Sequence, residues 1–450
     1  MGKTKGKFLK ICFFIFSPLL FLNLPGFSSP SPAIDQKLIQ IINQEIEKNR
    51  AEIIKIRRFI HMNPELSNRE FETAKLVAAK LTSLKLEVKT EVAKTGVVGL
   101  LRGALPGPTV AIRADMDALP IQEQNTFPYR SLNPGVMHAC GHDMHTAIAL
   151  GAAMVLSTIK DKIRGNIEFI FQPAEEGPPP GEEGGAKLMI KEGVLENPQV
   201  RAIFALHVWP DLEVGQIGYA SGYLMASSDS FAITIKGKSA HAARPQEGID
   251  AIVVAAEVIN NLQTIISRSL NPIEPAVITI GKIQGGNRIN IIADKVIMEG
   301  TVRTLNEEVR NKIPLLMEDI VRGITQSYEA SYNFDYQKQL PPLYNHPEFV
   351  QVVLPALKSC VGEENLIQVK PQMVAEDFAF FAEKIPAFMF LLGVKSPGQS
   401  AAAPLHSPNF NPDEKAIPIG IKAFCYLVLD ALEQQAALKT QPEPPLSPIK

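Results

Sequence analysis

Eight consecutive residues, His138-Ala139-Cys140-Gly141-His142-Asp143-Met144-His145, gather a thiol, a carboxylate and three imidazoles. Cys140 and His142 stand two apart, so on an extended or tightly turned backbone both reach one ion or an adjacent pair. A thiolate and a neutral imidazole suit a borderline-soft divalent metal such as zinc, manganese, cobalt or nickel. Gly141 lets the backbone bend between them without a Cβ penalty. The following run, Thr146 to Met154, is rich in helix formers. The cluster therefore belongs at a helix N-terminus, where free N–H groups and the dipole favour a thiolate. The competing reading is a buried cysteine among surface histidines.

Other groups of the same chemical kind recur after apolar runs. Thr109 to Arg113 reads as a buried strand and leads into Asp115 and Asp117. Ile167 to Phe171 delivers Gln172-Pro173-Ala174-Glu175-Glu176-Gly177. Adjacent carboxylates point different ways, so one can hold a metal while the other addresses a water, as metal-assisted hydrolysis requires. A solvated acidic turn is the alternative there. Ala202 to Leu206 ends in His207, and Ala387 to Gly393 is followed by His406. Open α/β sheets place their sites at the C-terminal ends of strands, and these residues share that position.

The elements that must position them follow from pattern and composition. A chain of 450 residues, 46% hydrophobic and 20% charged, can bury a large core in two or three domains. A net charge of -2 gives no sign of a nucleic-acid partner. Four cysteines are too few and scattered for a disulfide scaffold; Cys360 and Cys425 read as core. Lys3, Lys5, Lys7 and Lys10 precede an apolar run from Ile11 to Leu24, so residues 1–28 read as a signal peptide or N-terminal anchor. This implies export to a bacterial periplasm or an equivalent lumen, with membrane attachment only if the leader is retained. Ile34 to Met62 has the spacing of one or two amphipathic helices, and Phe71 to Leu84 of another. From about Gly222 the order becomes strand, helix (Gly248 to Arg268), strand, strand (Ile289 to Arg303), helix, strand. This is the split βαβ layout of a small two-layer domain inserted in a longer α/β pattern. The expected segments are 35–221 and 338–438 for the main domain, 222–337 for the insert, and 439–450 for a disordered tail.

Six motifs in one order carry a resemblance: Arg-Ala-Asp-Met-Asp-Ala-Leu-Pro, His-Ala-Cys-Gly-His-Asp, Gln-Pro-Ala-Glu-Glu-Gly, Leu-His-Val-Trp-Pro, Ser-Ala-His-Ala-Ala-Arg-Pro and Leu-His-Ser-Pro-Asn-Phe. Over about residues 35–438 the chain resembles the dimetal amidohydrolases of the aminoacylase/carboxypeptidase metallopeptidase family. Within it, the chain is most similar to the branch of bacterial N-acyl-L-amino-acid (hippurate) hydrolases and plant auxin–amino-acid conjugate hydrolases. The resemblance implies an α/β/α metallopeptidase-like catalytic domain with an inserted two-layer α+β, ferredoxin-like lid and dimerisation domain, and with it a homodimer. It implies two divalent ions on Cys140, His142, Glu176, His207 and His406, with Glu175 as general base and Asp117 orienting a metal ligand. His241 would reach the active site, in several members of the family the partner subunit's. Asn290 and Arg303 would contact the substrate's carbonyl and carboxylate. Relatives of the carboxypeptidase type carry a histidine ligand where this chain has Asp115, which argues against Asp115 as a ligand. Glu376-Asp377-Phe378 also resembles a family motif, without an evident role. His61 and His346 read as surface or loop residues.

The function expected is hydrolysis of the amide of a small-molecule N-acyl-L-amino acid. A dipeptidase or aminopeptidase on the same site is the first alternative, and a non-catalytic periplasmic binding protein the second. Glu175 weighs against the binder, which has no use for a second carboxylate beside a ligand.

Overall fold

The near-continuous apolar runs become strands buried on both faces, as parallel strands under helices must be. The computed structural model describes residues 35–439; the expected leader, and the tail beyond 439, lie outside the described residues. An eight-stranded sheet contains β1 (Glu87–Val92), β2 (Gly96–Arg102), β3 (Leu105–Asp115), β4 (Arg164–Gln172), β5 (Val200–Glu213), β6 (Ile217–Tyr219), β13 (Leu366–Gln368) and β14 (Ala387–Lys395). Their order is β1-β2-β4-β3-β5-β14-β6-β13. The central strands β4, β3, β5 and β14 run parallel. Asp115 is registered with Gln172, and Arg113 with Ala205. The ends of β3 and β4 thus deliver Asp115 and the Glu175-Glu176 segment along one sheet edge, whereas His207 lies inside β5, which runs on to Glu213 and does not end at the histidine as expected.

One face of this sheet shares a core with α1 (Gln36–Met62), α2 (Phe71–Ser83), α3 (His142–Thr158), α7 (Pro347–Val361) and α9 (Ile417–Lys439). The other face packs with α4 (Gly185–Lys191) and α8 (Ala379–Ala382). From His142 to Leu156, α3 is buried on every side, which accounts for its lack of a polar face. Gly151 lets α1 and α9 pack close: a Cβ there would lie 2.5 Å from Ile421 Cδ1 and 3.1 Å from Ile53 Cδ1, so a side chain would force those isoleucines to repack. None of the described helices is long and apolar enough to cross a membrane.

A second, four-stranded sheet has its own hydrophobic cluster. Its elements are β8 (Ser228–Lys236), α5 (Ala251–Thr264), β9 (Ala276–Gly285), β10 (Lys295–Thr304), α6 (Glu307–Ser327) and β11 (Ser331–Leu340). The order β11-β8-β10-β9, all antiparallel, is the split βαβ arrangement expected from the sequence. The chain enters and leaves this sheet through two paired strands, β7 (Gly222–Met225) and β12 (Leu343–Asn345).

Some boundaries differ from expectation. The strand expected from Ile289 begins at Lys295. Gly286, at φ +77°, turns the chain out of the sheet, and the loop pairs instead with the His241 segment through Ala242 N–H and Asn290 O at 3.1 Å. Ile289 is fully exposed, so its apolar side chain misled the periodicity. The α5 helix starts later than Gly248, because Asp250 caps it through the N–H groups of Ile252 and Val253. The strand β1 carries only Val88 and Val92 among charged and polar residues, too weak a pattern to mark a strand in the sequence.

Candidate active site

Cys140 and His142 flank Gly141, which caps α3 at φ +93°. A Cβ there would meet Val208 Cγ2 at 2.4 Å, so only glycine permits the bend that turns both side chains inward. His406 is itself left-handed at φ +62° and is pinned by its N–H on Ala139 O at 2.9 Å. Cys140 Sγ consequently lies 3.4 Å from His207 Nε2 and 3.3 Å from His406 Nε2. Glu176 Oε1 is 3.2 Å from His406 Nε2, and Glu175 Oε2 is 3.9 Å from His142 Nε2. Donor atoms within 4.8 Å of one another form the sets Cys140/His142/His207, Cys140/Glu176/His406 and His142/Glu175/Glu176. All six residues expected around the metals are therefore brought together, and Cys140 belongs to two of the sets.

The imidazoles are oriented from behind. His142 Nδ1–H donates to Asp117 O at 2.8 Å and faces Asp117 Oδ1 at 3.2 Å, which leaves Nε2 buried and without a hydrogen bond. His207 Nδ1–H donates to Val208 O at 2.7 Å, which also turns its Nε2 inward. Asp117 Oδ2 accepts from Ser67 Oγ at 2.8 Å and from Glu176 N–H at 3.0 Å. One carboxylate thus holds both an imidazole and the Glu175-Glu176 backbone. His145 is not free for a metal: Nδ1 bonds Asp115 Oδ1 at 2.7 Å, and Nε2 accepts Val208 N–H at 2.9 Å.

The electrostatics call for cations. Burial, then the charges of Glu176, Glu175 and Asp115, push the Cys140 thiol well above its ordinary range. Burial, then Glu376, Glu176 and Asp377, does the same to Glu175. Against the cost of burial, Asp115 and Asp117 raise His142 to about 10. A site that would hold a proton on a buried imidazole at that pH is one that cations relieve. With sulfur, imidazole and carboxylate donors and an orphaned Nε2, these residues fit two borderline-soft divalent ions.

Further buried charged residues surround the site. Asp115 is bound by Arg113 Nη1 at 2.7 Å and by His145, which agrees with its exclusion as a ligand. Arg113 Nη2 also meets Glu376 at 3.0 Å and Asp377 at 2.8 Å, which gives the Glu376-Asp377-Phe378 motif a place. Asp377 further holds Gln172 Nε2 and Ala186 N–H, each at 2.8 Å, beside the Glu175 segment. Glu70 is buried and holds Ala174 N–H at 2.9 Å. His61, expected at the surface, is fully buried: Nδ1 meets Asp143 at 2.8 Å and Nε2 meets Glu123 at 3.2 Å. With Arg57 Nε 2.7 Å from Asp143, it fixes the first turn of α3 beside His142. A lone histidine late in an amphipathic helix gave no hint of this, because its partners lie 62 and 82 residues away. His346 is exposed, as expected.

His241, Asn290 and Arg303 lie on the four-stranded layer. No hydrogen bond or ion pair among the described residues joins them to the metal cluster. His241 is exposed, with Nδ1 accepting Ala243 N–H at 3.0 Å. Arg303 is half-buried in β10, and its guanidinium makes no hydrogen bond or ion pair among the described residues; burial lowers its proton affinity against the attraction of Asp229.

Comparison with known proteins agrees with this geometry. The model of peptidase family M20/M25/M40 matches residues 111–430. An N-acyl-L-amino acid amidohydrolase of Geobacillus stearothermophilus is 45% identical over 307 residues, covering 68% of this chain and 81% of its own. An N-acetyl-L-cysteine deacetylase of Bacillus subtilis is 40% identical over 377 residues, covering 84% and 86%. A Bacillus subtilis crystal structure described as a dinuclear metal-binding peptidase of the M20 family superimposes with a TM-score of 0.74 at 37% identity, covering 86% of this chain and 99% of that one. The chain is a hydrolase of peptidase family M20/M25/M40, and belongs among its metal-dependent amidohydrolases.

Proposed function

We propose that the protein hydrolyses the amide of N-acyl-L-amino acids at a centre for two divalent ions. Cys140, His142, Glu176, His207 and His406 would hold these ions, as the donor sets Cys140/His142/His207 and Cys140/Glu176/His406 allow. The observation that carries the reading is Cys140 Sγ between two inward-turned Nε2 atoms, with Glu175 alongside. When bound, the ions supply Lewis acidity toward the carbonyl and toward a water, and manganese, zinc, cobalt and nickel all suit the donors. Glu175 takes a proton from that water as its oxygen bonds to the carbonyl carbon. It then passes this proton to the amide nitrogen as the C–N bond breaks, releasing a carboxylate and a free amino acid.

The four-stranded layer completes the site as a lid. His241 donates to the developing oxyanion, Asn290 contacts the substrate carbonyl, and the unpaired Arg303 takes the substrate carboxylate. A homodimer through this layer would carry His241 to the partner's site. The basic and apolar leader supports export to a periplasm or equivalent lumen.

Released amine, measured across N-acetyl, N-benzoyl and N-indoleacetyl amino acids and free dipeptides with each of the four metals, tests the reading. The N-acylated substrates should have the higher kcat/KM, by about tenfold or more. Preference for dipeptides would make the protein a dipeptidase.

A further inference from the structure

Consecutive carboxylates serve two partners only if the backbone between them turns. Ala174 O accepts Gly177 N–H at 3.3 Å, which puts Glu175 and Glu176 at the two corners of a four-residue turn. The chain enters that turn left-handed, with Ala174 at φ +53°. A residue with a Cβ reaches that region only at a cost, and such strain persists only where the surroundings enforce it. Glycine would take the conformation freely, yet the position is a buried alanine.

What enforces the turn is Glu70, at the N-terminus of α2 and wholly buried. Its Oε1 accepts Ala174 N–H at 2.9 Å and Asn68 N–H at 3.0 Å, and Asn68 is itself left-handed at φ +61°. Its Oε2 takes the hydroxyl of Thr95. Glu70 touches no residue assigned to a metal. Burial, then the charge of Asp117, push its carboxyl up to about 7, so its placement works against stability. A group kept there at that cost has a task beyond filling space.

We propose that Glu70 is a positioning residue of the reaction: it holds the left-handed turn at Ala174 that aims Glu175 at the water and Glu176 at the metal centre. The proposal rests on the roles given above to Glu175 and Glu176. Asp117 grips the same turn from its other end, through Glu176 N–H, so the loss of Glu70 should misplace Glu175 first and leave Glu176 on its metal.

Glu70→Gln, Glu70→Ala and Glu70→Ala/Ala174→Gly test this through kcat, KM, bound metal per chain and amide hydrogen exchange over residues 172–178. Glutamine keeps an Oε1 for both N–H groups and offers its amide to Thr95, so kcat should stay within about threefold of the parent with unchanged exchange. Glu70→Ala should lower kcat about ten- to a hundredfold, the size expected for a misplacement near 1 Å. KM and metal content should hold while exchange at the turn quickens. Ala174→Gly should then recover about fivefold or more of the lost kcat, since glycine removes the strain Glu70 opposed. A change that only loosened the core would not be repaired by a glycine at position 174.

A Glu70→Gln enzyme losing about tenfold or more would overturn the proposal, and decides the matter alone if Glu70→Ala does not fold. Failure of Ala174→Gly to improve on Glu70→Ala would also overturn it. Glu175→Gln separates the two levels. Full turnover in that variant removes the base assignment whatever Glu70 does. An inactive, metal-loaded Glu175→Gln beside a fully active Glu70→Ala removes only the role of Glu70.

Discussion

Replacing Asp117 by asparagine asks how much of the metal affinity comes from behind the ligands. The carboxylate faces His142 Nδ1 at 3.2 Å with one oxygen and takes Ser67 Oγ and Glu176 N–H with the other. Asparagine has one oxygen for these two sides. His142 retains the Asp117 backbone carbonyl at 2.8 Å, so the cheaper placement turns the amide oxygen to Ser67 and Glu176. The amide N–H2 then faces the imidazole N–H, and the charge that raised the basicity of His142 is gone. A hydrogen bond to a charged group contributes about 1.5–3 kcal/mol, and the surviving carbonyl contact puts the loss at the low end. Affinity for the more weakly held ion should fall about tenfold in Asp117→Asn, and about a hundredfold in Asp117→Ala, where both grips are lost. Competition between metal-depleted protein and a chromogenic chelator reads this directly. Affinities within about twofold of the parent in both variants would refute the claim that this carboxylate sets the geometry of the centre.

Two further outcomes follow from groups elsewhere in the chain. Glu168 on β4 is buried with Oε1 unpartnered, and burial, opposed by Lys89, pushes it up to about 8. The folded chain keeps a proton there that the unfolded chain sheds, so this group erodes stability as pH rises from about 4.5 to about 8, by about 3–5 kcal/mol in total. Glu168→Gln should match the parent's Tm near pH 4.5 and exceed it at pH 8, and an equal Tm difference at both pH values would contradict this. His241→Ala should lower kcat about a hundredfold with metal content unchanged, as for one lost oxyanion donor; normal turnover would remove the lid from the chemistry.

The sequence made legible what is local or periodic. The Cys140-Gly141-His142 spacing, the strands ending at Asp115 and Gln172, and the βαββαβ order of the small layer each follow from short-range pattern. The supporting groups did not show themselves, because their partners are far apart in the chain. Arg113 meets Asp377 across 264 residues, and His61 meets Asp143 across 82. A charged residue in a strand that alternates with apolar ones looks solvated until the sheet closes over it, as with Arg113 and Glu168. Glu70 had no motif at all, and only the left-handed Ala174 beside it reveals what it holds. Ile289 shows the converse error, an apolar residue taken for strand that projects wholly into solvent.

Glu175 and Glu176 differ in place but not in chemistry, and the proposed reaction depends on the division of roles between them. Glu175→Gln and Glu176→Gln, purified alike, should be assayed for turnover and for metal per chain by elemental analysis. Glu175→Gln should keep both ions and lose activity by about a thousandfold or more, the upper range for a general acid–base group, while Glu176→Gln should lose an ion as well as activity. Equal metal loss in the two variants, or turnover surviving in Glu175→Gln, would contradict that division.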